Sequence, residues 1–282
     1  MDLLFFDNAE NGGKRNLFTI KNYVVAENLE QAYELNQKKN NTILGGIAWL
    51  KMGNRNIDTA IDLSKLGLDK IEEDEDVFKI GCMCTLRDLE VHKELNSYFN
   101  GAITKSLIHI VGVQFRNCAT IGGSIYSRFG FSDILTALMA LDAYVELYKG
   151  GIIPLEVYKD MQYDNDILLR VIIKKDSRSV SYLTHRMSAT DIPTLAVAVS
   201  RNEGKWRVVL GARPQKAMAV KHSEEMLSEI PSREEIDSLL SSIIKNVKFE
   251  SNMRGSKEYR QVLAKVLINR AIEEITGGTY AN

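Results

Sequence analysis

The chain of 282 residues is short of several things, and each shortage excludes a class of chemistry. It has three cysteines, Cys82, Cys84 and Cys118, whereas an iron–sulfur cluster ordinarily takes four thiolates. Cys82 and Cys84 stand two apart in the strand-like run Phe78–Cys84, so they share one face and read as small core residues. The four histidines (His92, His109, His185, His222) show no metal-ligand spacing. Net charge is −1, with no basic stripe interleaved with aromatics, so no nucleic-acid partner is expected. No apolar run is long enough to span a bilayer: Ile134–Tyr148 is interrupted by Asp142 and Glu146. The first residues carry Asp2, Asp7 and Glu10 around a short apolar stretch, unlike a secretory signal, which leaves the cytoplasm as the expected compartment and no membrane as a partner. No Rossmann G-x-G-x-x-G occurs, and Asn11-Gly12-Gly13-Lys14 lacks the spacing of a phosphate loop.

What is present is a pair of Gly-Gly turns, each after an apolar, strand-like run. The first lies in Thr42-Ile43-Leu44-Gly45-Gly46-Ile47-Ala48-Trp49-Leu50, the second in Ala119-Thr120-Ile121-Gly122-Gly123-Ser124-Ile125. Glycine lets a ligand approach the backbone closely, and successive N–H groups in such turns form anion-binding nests. One such turn is only a turn. Two could grip both flanks of a pyrophosphate.

Periodicity places the turns in a mixed fold. Phe18–Ile20 reads as a short strand, and Asn28–Lys38 as a helix with Leu29, Ala32, Tyr33 and Leu35 at helical spacing and Asn28 as its cap. Strand-like Thr42–Leu44 and Ile57–Leu63 complete a β-α-β unit. The acidic run Glu72–Asp76 reads as a hairpin tip before a strand at Val77–Cys82, and Thr85 with Asp88 as a capping box opening helical structure that reaches Ile110. Asp133–Leu141 is a buried helix, and Tyr144–Tyr148 and Ile167–Ile173 are strands around a loop. Pro193–Val199 and Trp206–Leu210 form a hairpin through Asn202–Lys205; Glu258–Ile275 is an amphipathic helix ended by Gly277-Gly278.

Three blocks then carry a family resemblance: Leu44-Gly45-Gly46, Arg116-Asn117-Cys118-Ala119-Thr120-Ile121-Gly122-Gly123-Ser124-Ile125, and Ser132-Asp133 through Asp142-Ala143. Together they resemble the FAD-binding (medium) subunit of molybdenum hydroxylases, the xanthine dehydrogenase and aerobic carbon monoxide dehydrogenase family. Arg186–Pro193 and Arg254–Arg260, continuing to Arg270-Ala271, match as well, so the resemblance runs from about Phe18 to Ile275. It implies an α+β chain: a lead-in (1–16), a PCMH/VAO-like FAD-binding region of two α/β subdomains (17–178, divided into 17–65 and 66–178), and an α+β C-terminal domain (179–282).

For the site, the resemblance implies pyrophosphate contacts from Leu44, Gly45, Gly46, Ile47, Ala48 and Trp49 on one side and Thr120, Gly122, Gly123 and Ser124 on the other. Relatives often carry Thr or His and then Asp or Ser where this chain has Ile47 and Ala48, Asn where it has Ser124, and a cofactor-contacting Lys where it has Leu183. Asp133 matches a carboxylate near a ribose and is equally suited to capping a helix; Asp191 matches an acidic residue of the family and is read as structural, near the flavin edge. Ile110 stands where some relatives stack an aromatic ring. Arg116 could meet a phosphate or form a surface ion pair, and Trp49 could border the cofactor or sit in the core. No nucleophile–base pair or paired carboxylates emerge, as suits a carrier whose cofactor does the chemistry.

The implied role is an FAD-binding electron relay. A large molybdopterin subunit and a small [2Fe–2S] subunit are the partners, and NAD or another acceptor takes the electrons. An assembly subunit with weak or lost FAD binding is the alternative; a free-standing flavin oxidoreductase is a third reading.

Overall fold

The computed structural model describes residues 18–278, so the 1–16 lead-in and its Asn11-Gly12-Gly13-Lys14 lie outside the described residues. The first unit is β1 (Thr19–Val25), α1 (Leu29–Asn36), β2 (Thr42–Leu44) and β3 (Asn56–Asp62). Its three strands form a parallel sheet in the order β1-β3-β2. Asn28 caps α1, its side chain accepting from the Gln31 N–H at 2.9 Å.

The second unit is a five-stranded antiparallel sheet, β4-β5-β8-β6-β7. Its strands are β4 (Ile71–Glu73), β5 (Val77–Gly81), β6 (Tyr144–Leu147), β7 (Gly151–Pro154) and β8 (Leu168–Lys174). Between β5 and β6 run six helices: α2 (Leu86–Val91), α3 (Lys93–Tyr98), α4 (Ala102–Leu107), α5 (Val113–Arg116), α6 (Ile121–Tyr126) and α7 (Asp133–Ala140). The helical stretch expected to reach Ile110 is thus broken into α2, α3 and α4, each new turn taking its own cap: Thr85 with Asp88, then His92, then Gly101 at φ 71°. The loop expected between the strands at Tyr144 and Ile167 holds β7 and a short helix α8 (Leu155–Tyr158).

The third unit begins after residues 175–178. Four antiparallel strands, β9 (Ser179–His185), β10 (Leu195–Asn202), β11 (Lys205–Gly211) and β12 (Met218–Ala219), lie in the order β12-β11-β10-β9. Glu203 and Gly204 both take positive φ (47° and 77°), as a two-residue hairpin turn demands. Helices α9 (Ser223–Met226), α10 (Arg233–Asn246) and α11 (Lys257–Thr276) follow, and Gly277 at φ 65° ends α11.

Strand alternation decides what each face of the third sheet meets. Leu195, Val197, Val199, Val208 and Leu210 point into a core shared with α10 and α11. Their neighbours Ala196, Ala198 and Val209 point into the main core with α7. The small alanines let α7 lie close on that face, and α7 is buried along its whole length. The second unit is thereby held against the third, and the N-terminus of α7 faces the cleft between them.

Candidate functional site

A cavity of about 430 Å³, within the ordinary range for small-molecule sites, opens where the three units meet. The first glycine loop forms one wall. The N–H groups of Gly45, Gly46, Ile47 and Ala48 find no acceptor among the described residues, while the Ile47 carbonyl accepts from Lys51. Ile47 holds φ 48°, a left-handed conformation that a β-branched side chain adopts only under strain. Across the cavity Val111, also β-branched, holds φ 51°. Strain of this kind collects at ligand sites, where surrounding structure over-determines the backbone.

The second glycine motif differs from the strand-end nest expected of it. Thr120 caps α6, its hydroxyl accepting from the Gly123 N–H at 3.2 Å, so the glycines form the first turn of a helix. Their neighbouring N–H groups are engaged: Ile121 donates to Cys84, Gly122 to Cys82 and Ser124 to Thr120. Capping by Thr120 overrides the strand-like look of Ala119–Ile125. What this motif shows the cavity is the surface of Ala119, Thr120, Gly123 and Ser124. The Ser124 hydroxyl donates to the Thr120 carbonyl at 2.9 Å.

Three of the expected contacts stay off the cavity wall. Gly122 faces away: a Cβ there would lie 2.6 Å from the Cys82 carbonyl oxygen, so its bareness serves the approach of α6 to that segment. Leu44 ends β2 in register with Asp62. Leu183 points into the C-terminal core, because its neighbour Tyr182 takes the opposite face of β9 and reaches Asp133. Gly45, Gly46, Ile47, Ala48, Trp49, Thr120, Gly123, Ser124 and Asp133 do line the cavity.

Asp133 begins α7 while Ser132 caps it, accepting from the Leu135 N–H. The buried Asp133 carboxylate pairs with Arg186 and accepts from the Tyr182 hydroxyl. Burial raises its pKa, and the Arg186 guanidinium and the Tyr182 hydroxyl pull the other way. The same burial, with Asp133 beside it, holds the Tyr182 hydroxyl well above the ordinary phenol value. Arg186 also donates to the Asp191 carbonyl at 2.7 Å, and the Asp191 carboxylate meets Arg254 at 3.3 Å. Asp191 and Ile110 lie on the wall. Arg116 does not meet it as a free cation: buried, it grips Glu90 at 2.7 and 3.0 Å and donates to the Ile110 carbonyl.

The structure adds residues that sequence reasoning passed over. Arg55 lines the cavity beside the first loop and donates to the Thr42 hydroxyl at 3.0 Å; nothing in its local pattern marks it. His109 and Thr190 contribute polar edges, and Thr190 lies inside the Arg186–Pro193 block. Phe129 and Phe131 stand between the second motif and Ser132-Asp133, an aromatic pair legible as a loop feature. Elsewhere, burial pushes the Cys82 and Cys84 thiols up to about 12, which suits core residues rather than ligands, and no group of potential metal ligands is found among the described residues. No helix among them is long and apolar enough to cross a membrane.

A row of unengaged N–H groups, two glycine motifs from different units and an aromatic wall suit an anionic, ring-bearing ligand, the pattern of a flavoprotein-type dinucleotide site. The chain belongs to the family described as the FAD binding domain in molybdopterin dehydrogenase, which it matches over residues 17–175, and residues 181–275 match the CO dehydrogenase flavoprotein C-terminal domain. FAD is the cofactor of that family, and the residues around the cavity fit an anionic dinucleotide through the four unengaged N–H groups.

Among curated proteins, the chain is similar to the uncharacterized protein YgfM of Escherichia coli (strain K12), 26% identical over 256 residues, 88% of this chain and 94% of that one. It is also similar to the nicotinate dehydrogenase FAD-subunit of Eubacterium barkeri, 33% identical over 91 residues, 32% of this chain and 30% of that one. Among solved structures, the fold is shared with quinoline 2-oxidoreductase from Pseudomonas putida 86 (TM-score 0.81, 16% identity). It is shared too with carbon monoxide dehydrogenase from Hydrogenophaga pseudoflava (TM-score 0.82, 18% identity). Each alignment covers 93% of this chain and 99% of the other.

Proposed function

We propose that this chain is the FAD-binding electron-transfer subunit of a multi-subunit molybdenum hydroxylase of the xanthine dehydrogenase type. Partner chains carry molybdopterin and [2Fe–2S] clusters, and NAD or another acceptor takes the electrons. The observation that carries the reading is the first loop, whose four consecutive N–H groups have no acceptor among the described residues and whose residues line a cavity bounded by the second glycine motif. Bound FAD would supply two-electron chemistry that exchanges with one-electron carriers. The chain's own residues would position it: the N–H groups of Gly45 to Ala48 hold phosphate oxygens, and Arg55 adds the positive charge that Leu183 does not provide. Thr120 and Ser124 border the other flank.

The visible absorption spectrum tests this, taken before and after adding FAD and desalting. Retained flavin bands are expected in the wild type, and weaker retention in Arg55→Ala, with the gap between the two narrowing at high salt because an exposed phosphate contact is screened. A chain that holds no flavin, alone or with its partner subunits, would instead be an assembly subunit. Ile47 and Ala48 favour that second reading, because the loop there offers backbone donors without polar side chains.

A further inference from the structure

We propose that Trp49, with Phe129 and Phe131, is a stacking platform for one of the two flat rings of the dinucleotide, and so sets which half of the ligand dominates affinity. The inference rests on the FAD reading of the cavity and deepens it. Phe129 and Phe131 stack with ring centroids 5.0 Å apart and planes 10° from parallel. Trp49 meets them at 5.4 and 5.9 Å, tilted by 59° and 51°, so the three rings make one cluster in which the indole is inclined against a stacked pair. All three lie on the cavity wall, and Trp49 remains 41% exposed. A tryptophan serving only the core would be covered, as Trp206 is at 0%.

Position and rigidity support the role. Trp49 directly follows the N–H row of Gly45 to Ala48, so its indole stands beside the anion site, where a ring joined to the phosphates by a sugar or ribityl arm would arrive. The loop that carries the two phenylalanines is held from both sides. Arg128 lies buried at φ 51°, its guanidinium 4.1 Å from the Tyr158 ring centre and 4.5 Å from that of Tyr163, donating to the Met161 carbonyl at 2.6 Å. Gly130 accepts from the Ala212 N–H and lies so near Gln215 that a Cβ would be 3.0 Å from its backbone. A platform fixed in advance loses little freedom when a ring settles on it.

The test uses the full chain stripped of flavin, with FAD, FMN and ADP as probes. FMN carries the isoalloxazine ring and ADP the adenine, and both carry phosphate. Trp49→Leu is expected to weaken FAD about ten-fold, the scale of ring-on-aromatic stacking, and to weaken only one of FMN and ADP by a similar factor. The affected half identifies the ring. Trp49→Phe is expected to restore most of the loss. Phe131→Leu, which leaves the phosphate loop untouched, should reproduce the selective loss and serves where Trp49→Leu fails to fold. Unchanged FAD affinity in these variants overturns the platform while leaving the FAD site standing. Equal losses for FMN and ADP overturn it too, because they report a displaced phosphate loop. A wild-type chain that binds none of the three probes overturns the FAD reading itself, and the platform with it.

Discussion

Gly46 lies against the carbonyl of Cys118 so closely that a Cβ at position 46 would sit 1.8 Å from that oxygen. Gly45 is nearly as confined, since its Cβ would be 2.8 Å from the Thr120 hydroxyl. The two glycine motifs are therefore in mutual contact, and the bareness of the first loop serves that packing as well as any ligand. Gly46→Ala must push the first unit off the second. It is expected to cost about 2–3 kcal/mol, the upper range for overpacking a tight contact, and to lower flavin retention at the same time. Urea denaturation with a parallel desalting assay checks both, and an unchanged midpoint would show that the two loops part freely.

Ile47 carries the opposite expectation. Its backbone is held at φ 48° while its side chain is 40% exposed, so it has strain to release and little burial to lose. Asn tolerates the left-handed region far better than a β-branched residue does. Ile47→Asn is expected to stabilise the protein by about 1 kcal/mol without weakening FAD, since the loop holds the ligand through N–H groups. A destabilised variant would mean that the isoleucine side chain itself braces the loop.

The relation between these positions explains what could be read from the chain. Asn28, Thr85 with Asp88, and Gly277 were legible because a cap is a local bargain between a side chain and the nearest N–H groups, or a glycine and its own φ. The family blocks were legible for the same reason: each is contiguous. Leu183 and Gly122 lie off the cavity wall for reasons that are distant in the chain. Whether a strand residue faces Asp133 or α11 depends on register with β10, and the demand on Gly122 comes from Cys82. Helix α10 escaped notice although Ser232 and Glu235 form a full capping box at its start. Arg55 had no signal at all, since only folding brings it to the cavity.

The thiols give a simple check on the core. Cys82 and Cys84 are buried with their thiols pushed up to about 12, while Cys118 is exposed. Thiolate is the reactive form, so at about pH 8 a disulfide reagent should titrate Cys118 alone in the folded protein and all three cysteines after unfolding. Fast reaction of more than one thiol in the native state would contradict the packing of α6 against Cys82.

The Asp133–Arg186 pair joins the second unit to the third and should govern the acid response of stability. Burial raises the pKa of Asp133 above its ordinary 3.8. Between those two values the folded chain holds a proton that the unfolded chain has already released, so stability falls as pH rises through the window and levels off above it. Asp133→Asn removes the titrating group, and its stability relative to the wild type should therefore improve as pH rises through that window. Arg186→Met acts in the other direction: it strips away the cation that offsets burial, raises the carboxyl further and carries the window toward neutrality. Leaving a buried carboxylate without its partner is expected to cost about 3–5 kcal/mol at neutral pH, with part of that loss recovered on acidification as Asp133 takes up a proton. Urea midpoints measured from about pH 4 to pH 8 distinguish the two variants. An Arg186→Met protein as stable as the wild type at neutral pH, or one that gains stability relative to it as pH rises, would show that the pair does not hold the two units together.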